Sequence, residues 1–313
     1  MKKLSWIELF VIAEALIDDI KFQSPLFDLI AEAPIEKWKD LDVTSVKELL
    51  LSTMSESEYA ELLNSLSILA MPRFKYELFF EVDNERHLSI FYRKDNEVVN
   101  FSATETGQFA ISKPIDFQEF ISNYNEMLSV SEFQSDHTKS EYSFGFDAYL
   151  VLNLAFYLEE MSDKIGTDQD RNEMHFTIED LQELFAEGDT SYIQDISSIY
   201  KDAPEDNGQI DFEKTVQELI NESYLTKVDG NNLKLGSKSL FLYHNMYRFN
   251  TIKLSFVNTK FIDDQGDWDI KTGTFVASKT SVFYVHIQER RILIEILASK
   301  TDCLQKLHHS FDY

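Results

Sequence analysis

Asp168, Asp170, Asn172 and Glu179 stand at positions one, three, five and twelve of a helix-loop-helix frame, the offsets at which a calcium loop places its oxygen ligands. Glu173 takes the sixth position, where such a loop needs Gly for its sharp turn, so the frame is broken. A second frame at 203–214 keeps Gly208, Ile210 and Asp211 but has Ala203 for the first ligand and Lys214 for the bidentate carboxylate. Both segments read as capped solvent loops, and no metal is expected. The 7 His are dispersed, and the His308-His309 pair has no third ligand at metal spacing. Cys303 is the single cysteine, so it closes neither an intrachain disulfide nor a Cys-based zinc site.

Catalysis finds no better footing. With 9 Gly in 313 residues there is no Gly-rich strand-to-helix turn, no G-x-S-x-G nucleophile and no phosphate loop. Acidic residues are so frequent that no two of them stand apart as an acid and base pair. The expectation is a protein that is not an enzyme and carries no cofactor. One acidic loop differs from the rest: Asp263, Asp264, Asp267 and Asp269 surround Gly266, and Trp268 lies among them. A large aromatic in an acidic loop is either tucked onto the sheet or offered to a partner.

The elements that would hold such loops follow from periodicity. Leu4 to Asp19 repeats apolar residues at helical spacing; a short helix follows within Ser24 to Trp38. VTSVKELLLS offers Thr44 or Ser45 as a cap, and SESEYAELLNSLSILAMP offers Ser55 or Ser57 before a stop near Pro72. Beyond Pro72 the period becomes two. FKYELFFEV, HLSIFYRK, EVVNFSAT and QFAISKP are short and aromatic or β-branched, with Asp-Asn, Asp-Asn and Thr-Gly turns between them. They read as an antiparallel meander, and Ile115 to Leu128 returns to a helix.

The polar stretch 131–143 lacks any period and is the predicted linker between a unit at 1–130 and one at 144–313. Helices are expected over 146–161, 176–188, 191–201 and 212–225. Further alternating segments and a closing helix at Lys300 to Phe311 complete the second unit. Thr215 to Gly236 has the look of a winged-helix element, a helix followed by a hairpin turning at Asp229-Gly230. Its helix carries Glu213, Glu218 and Glu222 against Lys214, which argues against reading DNA.

Charge excludes whole classes of partner. Lys and Arg number 29 against 55 Asp and Glu, a formal charge of −26 that repels DNA and anionic lipid alike. The apolar fraction of 43 %, with 25 Phe and 14 Tyr, is enough to fold a core. The apolar N-terminus is interrupted by Glu8, Glu14, Asp18 and Asp19 and lacks a cleavage site, so it reads as a core helix. No membrane segment, a cytoplasmic location and an undetermined oligomeric state complete the expectation.

The two units follow one plan. VKELL (Val46 to Leu50) faces VQELI (Val216 to Ile220), FKYELFF (Phe74 to Phe80) faces TIKLSFV (Thr251 to Val257), and each meander is followed by a helix. The expected fold is α+β, two pseudo-symmetric units, each with helices packed on one face of an antiparallel β-meander. The run LLNSLSILAMPRFKYELFF (Leu62 to Phe80), with its acidic turn and following strands and a second copy ending in the Trp268 loop, resembles the EspG family of type VII secretion-associated chaperones. That resemblance implies a quasi-two-fold α+β protein that binds helical secretion substrates and keeps them soluble.

The functional expectation is therefore a chaperone or adaptor for another protein, helical or basic, captured on an apolar groove or sheet edge. Asp83, Asn84, Glu85, Asp263, Asp264, Asp267 and Trp268 are the candidate contact residues. An acidic immunity or inhibitor protein that neutralises a basic toxin is the alternative. A regulatory protein built on the winged-helix element is a further one.

Overall fold

Alternating side chains decide the centre of the molecule. In β2 (Phe74–Val82) Phe74, Tyr76 and Leu78 are buried, and in β10 (Asn250–Phe261) Leu254, Phe256 and Asn258 are buried. Period two puts each set on one face of its strand. The two strands pair antiparallel from Phe74 opposite Lys260 to Val82 opposite Ile252, which brings both sets to the same face. The structure, a computed structural model, describes residues 1–31, 43–82, 85–104, 106–130, 141–165, 175–187, 210–262, 267–289 and 291–312.

From that central pair the sheet grows both ways. Outward from β2 come β3 (Glu85–Lys94), β4 (Glu97–Ala103), β5 (Phe109–Ile111) and β1 (Lys2–Leu4); β6 (Ile115–Asp116) also pairs with β4. Outward from β10 come β11 (Trp268–Ser278), β12 (Val282–Gln288), β13 (Arg291–Leu297) and β7 (Glu141–Phe144). The pairings are antiparallel, so the α+β fold class holds, with one 11-stranded sheet spanning the chain.

Helices cover both faces of this sheet, not one as the sequence suggests. Phe74, Tyr76 and Leu78 of β2 and Leu254 and Phe256 of β10 pack under α5 (Phe117–Met127) and α10 (Lys300–Phe311), with Phe120, Ile121, Leu307 and Phe311 in the same core. On the opposite face, β1, β3, β4 and β5 pack against α1 (Trp6–Ala13), α2 (Pro25–Ala31), α3 (Val43–Thr53) and α4 (Glu56–Ala70), through Leu9, Leu26, Leu50, Leu66 and Leu69 against Tyr92, Val99 and Phe101. On that same face β11 to β13 pack against α6 (Phe146–Ile165), α7 (Ile178–Glu187), α8 (Phe212–Asn221) and α9 (Ser237–Leu242). A hairpin of β8 (Leu225–Lys227) and β9 (Leu233–Leu235) closes that third core.

Local signals explain where elements begin. Ser55 opens α4 with a capping box: its hydroxyl accepts the Glu58 N–H while the Glu58 carboxylate accepts the Ser55 N–H at 2.8 Å, and the helix ends at Ala70, before Pro72. Thr177 caps α7 through Asp180 in the same manner. Asp95, with φ 52°, makes the β3–β4 turn, and Gly107, with φ 71°, the β4–β5 turn.

Other boundaries differ from the sequence reading. Lys2 to Leu4 form β1 against β5, so α1 starts at Trp6 and passes into a 3-10 turn at Glu14–Asp19. Helix α3 already begins at Val43, ahead of Thr44 and Ser45. Ser237 to Arg248, where alternation marks no strand, forms α9 and a π-helical turn over Tyr243–Arg248. Glu141 to Ser143, assigned to the linker, belong to β7; residues 131–140 and the expected helix at 191–201 lie outside the described residues. In the sequence alignment of Phe74 with Thr251 the odd offset sets Tyr76 and Leu78, buried in β2, against residues that alternate with the buried Leu254 and Phe256 of β10.

One buried cation ties the chain end to this sheet. The Arg93 guanidinium lies 3.7 Å from the ring centroid of Phe117 and 4.8 Å from that of Phe74, donates to Asp312 Oδ1 at 2.8 Å and to the Asp95 carbonyl at 2.7 Å. Beside it the Tyr76 hydroxyl donates to the Phe311 carbonyl at 3.0 Å. Arg93→Met removes the cation–π contacts and strands the last turn of α10, and is expected to cost about 2–3 kcal/mol of unfolding free energy in urea titrations.

Candidate protein-binding surface

The two core layers on the second face leave the middle of the sheet uncovered. Opposite the buried residues of β2 and β10 are Lys75, Glu77, Phe79 and Glu81 and, on β10, Lys253, Ser255, Val257, Thr259 and Phe261. Registers carry the same face onto Arg86 and Leu88 of β3 and onto Trp268, Ile270 and Thr272 of β11. Exposure is high for large apolar groups: Phe79 37 %, Leu88 55 %, Ile270 40 % and Trp268 54 %. Phe79 is directly opposite Leu88, and Ile270 is opposite Thr259. Two apolar clusters thus lie about 13 Å apart along the strands, with Val257 between them.

The polar part of this floor is internally paired. Lys75 and Glu77 form an ion pair at 2.5 Å, Arg86 Nε donates to Glu81 at 3.2 Å, and the Ser255 and Thr274 hydroxyls are 2.9 Å apart. Pairing spares a docking partner the cost of stripping lone charges of water.

Of the residues predicted from sequence, the described ones do not come together on this strip. Asp83, Asn84, Asp263 and Asp264 lie outside the described residues. Glu85 starts β3, exposed, with His87 Nε2 at 3.6 Å. The Asp267 carbonyl accepts the Ile262 N–H, and Trp268 pairs with Phe261 at the start of β11. Because β2 and β10 run antiparallel, Glu85 and Trp268 belong to opposite ends of the central strands, on the order of 25–30 Å apart. Trp268 thus belongs, with Ile270, to one apolar cluster. Phe79 and Leu88 went unnoticed in the sequence, although FKYELFFEV holds a signal for one of them: consecutive Phe79 and Phe80 cannot both face one core.

The winged-helix element has the expected order. Phe176 bridges to Leu233, so α6, that bridge, α7, α8 and the β8–β9 hairpin follow one another, and Gly230 turns the wing with φ 52°. The outer face of α8 exposes Glu213, Lys214, Glu218 and Glu222, three carboxylates to one ammonium, which repels phosphate. The calcium-like frames fall largely at 168–174 and 203–209, outside the described residues. Among the described residues no group of His, Cys, Asp and Glu is arranged to hold a metal, and no helix is long and apolar enough to cross a membrane.

One titratable cluster deserves comparison with an active site. His286 Nε2 is 2.8 Å from Glu295 Oε1, and Lys306 Nζ reaches the same carboxylate at 2.7 Å. The His286 hydrogen bond, against the opposing effect of burial, and then Lys306 hold the Glu295 carboxyl at about 2. A carboxylate held so low is a poor proton acceptor near neutral pH; its role is to fasten α10 to β12 and β13. Burial pushes the Cys303 thiol up to about 12, so it stays protonated in the core.

No protein-family model matches the sequence. No curated protein matches it either. Among solved structures the fold is similar to the type VII secretion system chaperone EspG5 of Mycobacterium tuberculosis, solved in complex with the PE25-PPE41 dimer, at a TM-score of 0.39 and 8 % identity, covering 100 % of this chain and 97 % of that one.

The Glu295 cluster gives a signed prediction. Its folded value lies below the ordinary 4.5, so its contribution is complete above that value and is lost as pH falls through 4.5 towards about 2. Glu295→Gln is expected to lower the melting temperature at neutral pH, and the gap to the wild type should close over that acid window in calorimetry.

Proposed function

We propose that this chain is a protein-binding chaperone or adaptor, without catalytic activity of its own, whose cargo docks on the open strip of the central sheet. The observation that carries this reading is the set of exposed Phe79, Leu88, Ile270 and Trp268 on a face whose two flanks are covered by helices. Large apolar side chains on a rigid sheet make anchors, and the paired charges between them make a wettable surface when cargo is absent. The acidic residues Asp83, Glu85, Asp263, Asp264 and Asp267, with Asn84 among them, would on this reading select basic residues of the cargo. The finer reading, a type VII secretion chaperone for a helical substrate in the cytoplasm, follows the sequence resemblance around Leu62 to Phe80.

Residues 1–130 and 144–313 are, on this reading, diverged copies of one unit joined by a linker. The strand order supports it: β3, β4, β5, β1 outward from β2 answers β11, β12, β13, β7 outward from β10, and α5 and α10 close the two halves on one face. The formal charge of −26 favours a second reading, an acidic inhibitor bound to a basic toxin.

Affinity purification of the full chain from its native host separates these readings. The chaperone reading expects a helical protein to be recovered at stoichiometric yield and to be lost with the Phe79→Asp, Leu88→Asp double variant, while the variant melts like the wild type. Recovery of a basic toxin domain establishes the inhibitor instead. Equal recovery of the helical protein by both forms would remove the open strip from the site.

A further inference from the structure

We propose that the outer edge of β7 is a strand-addition site for an extended segment of a partner protein bearing Lys or Arg side chains. β7 ends the strand path: it is hydrogen-bonded to β13, and among the described residues no strand pairs with its other side. Proteins commonly guard such edges with Lys or Pro. The opposite end of the sheet follows that rule, since β1 reads Lys-Lys-Leu, whereas β7 reads Glu-Tyr-Ser-Phe, with no Lys or Pro and with Glu141 as its one charged group, a sign that admits a cationic segment.

Space is provided on both faces of this strand. A cavity of about 370 Å³ lies beside Glu141, between β13 and α10, on the face that α10 covers. A second of about 360 Å³ lies at the far end of β7, between Ser143 to Phe146 and residues Lys214 to Glu222 of α8 and its C-cap, towards the helices of the other face. An added strand directs alternate side chains to opposite faces, so a peptide on this edge reaches both cavities, while a docked helix would fill one groove.

Charge names the partner. In the first cavity Lys306 is already held by Glu295, which leaves Glu141 and Asp302 to face a newcomer along with His309. In the second, Asp147, Asp211, Glu218 and Glu222 outnumber Lys214 and Arg291, and the Arg291 guanidinium is bonded to Ser143 Oγ at 2.7 Å and to the Ser143 carbonyl at 3.0 Å. The Asp211 carboxylate caps the Lys214 N–H at 3.0 Å, so part of the acidity is structural. The remainder suits ammonium or guanidinium groups on a strand. This site goes beyond the open strip, since it lies at the sheet's end and takes a different segment.

Fluorescence anisotropy with short labelled peptides tests it on the full chain. A peptide of alternating Lys and Val should bind at least about tenfold more tightly than its Glu and Val counterpart, a difference of about 1.4 kcal/mol. Hydrogen exchange should show new protection over 141–144 in the bound state. Glu218→Lys with Glu222→Lys, exposed on α8 and at its C-cap, should weaken binding about tenfold with an unchanged melting temperature, and Phe79→Asp with Leu88→Asp should leave it intact. Equal binding of the two peptides, or protection that falls on β2 and β10 instead of β7, overturns the assignment. Loss of binding in the Phe79 and Leu88 variant also overturns it, because it moves the peptide to the open strip.

Discussion

The antiparallel contact of β2 with β10 is the constraint on which the remaining architecture depends. It joins strands from distant parts of the chain over the whole length of β2, and it fixes which face of each strand is buried. Because side chains alternate, a slip of one residue would send Tyr76, Leu78, Leu254 and Phe256 to solvent and bring Lys75, Glu77 and Lys253 into the core. The apolar core under α5 and α10 therefore holds the register, and the register in turn defines the open strip on the other side. Asn258, buried within the same strand, donates to the Ser310 carbonyl at 2.9 Å and so aligns α10 with it.

Much of this was legible in the sequence wherever a period was carried by several residues. The meander from Phe74 to Ile111 and the helices α4, α5, α6 and α10 were all marked by spacing, and Ser55, one of the two caps offered for α4, is the one used because capping is local chemistry. Pairing between β2 and β10 was not legible. It is set by contacts between residues far apart in the chain, and nothing near Phe74 announces that Lys260 is its neighbour. β1 was hidden for a different reason, since Lys2 to Leu4 is too short to show any alternation and acquires its strand character from β5. The π-helical turn at Tyr243–Arg248 was hidden likewise, held in place by tertiary packing of Tyr243 and Met246 rather than by propensity.

The candidate site was legible only at its margin. Trp268 stood out as an aromatic among carboxylates, and the structure places it beside Ile270 on the open face. Phe79 and Leu88 did not stand out, because an aromatic strand with apolar residues on both faces reads, in isolation, as a fully buried strand. What makes them exposed is the placement of helices: α1 to α4 stop at the β3–β4 side and α6 to α9 at the β11–β12 side, so the middle strands have a covered face and an uncovered one. That division is a property of the whole sheet and has no local signature.

An uncovered aromatic strip is a hazard for a protein that must remain dispersed, and the side chains around it show how that hazard is limited. Phe79 and Leu88 form one small cluster and Ile270 and Trp268 another, and the ion pairs Lys75–Glu77 and Arg86–Glu81 stand among them. Each cluster consists of two large apolar side chains, flanked by charged and hydroxyl groups. A ligand gains substantially only by touching both at once, across about 13 Å of strand, which a small molecule does not do and a rigid helical or sheet-bearing surface does. On the proposed reading, selectivity for a protein partner comes from the spacing of these two patches, and the formal charge of −26 opposes contact between copies of the chain.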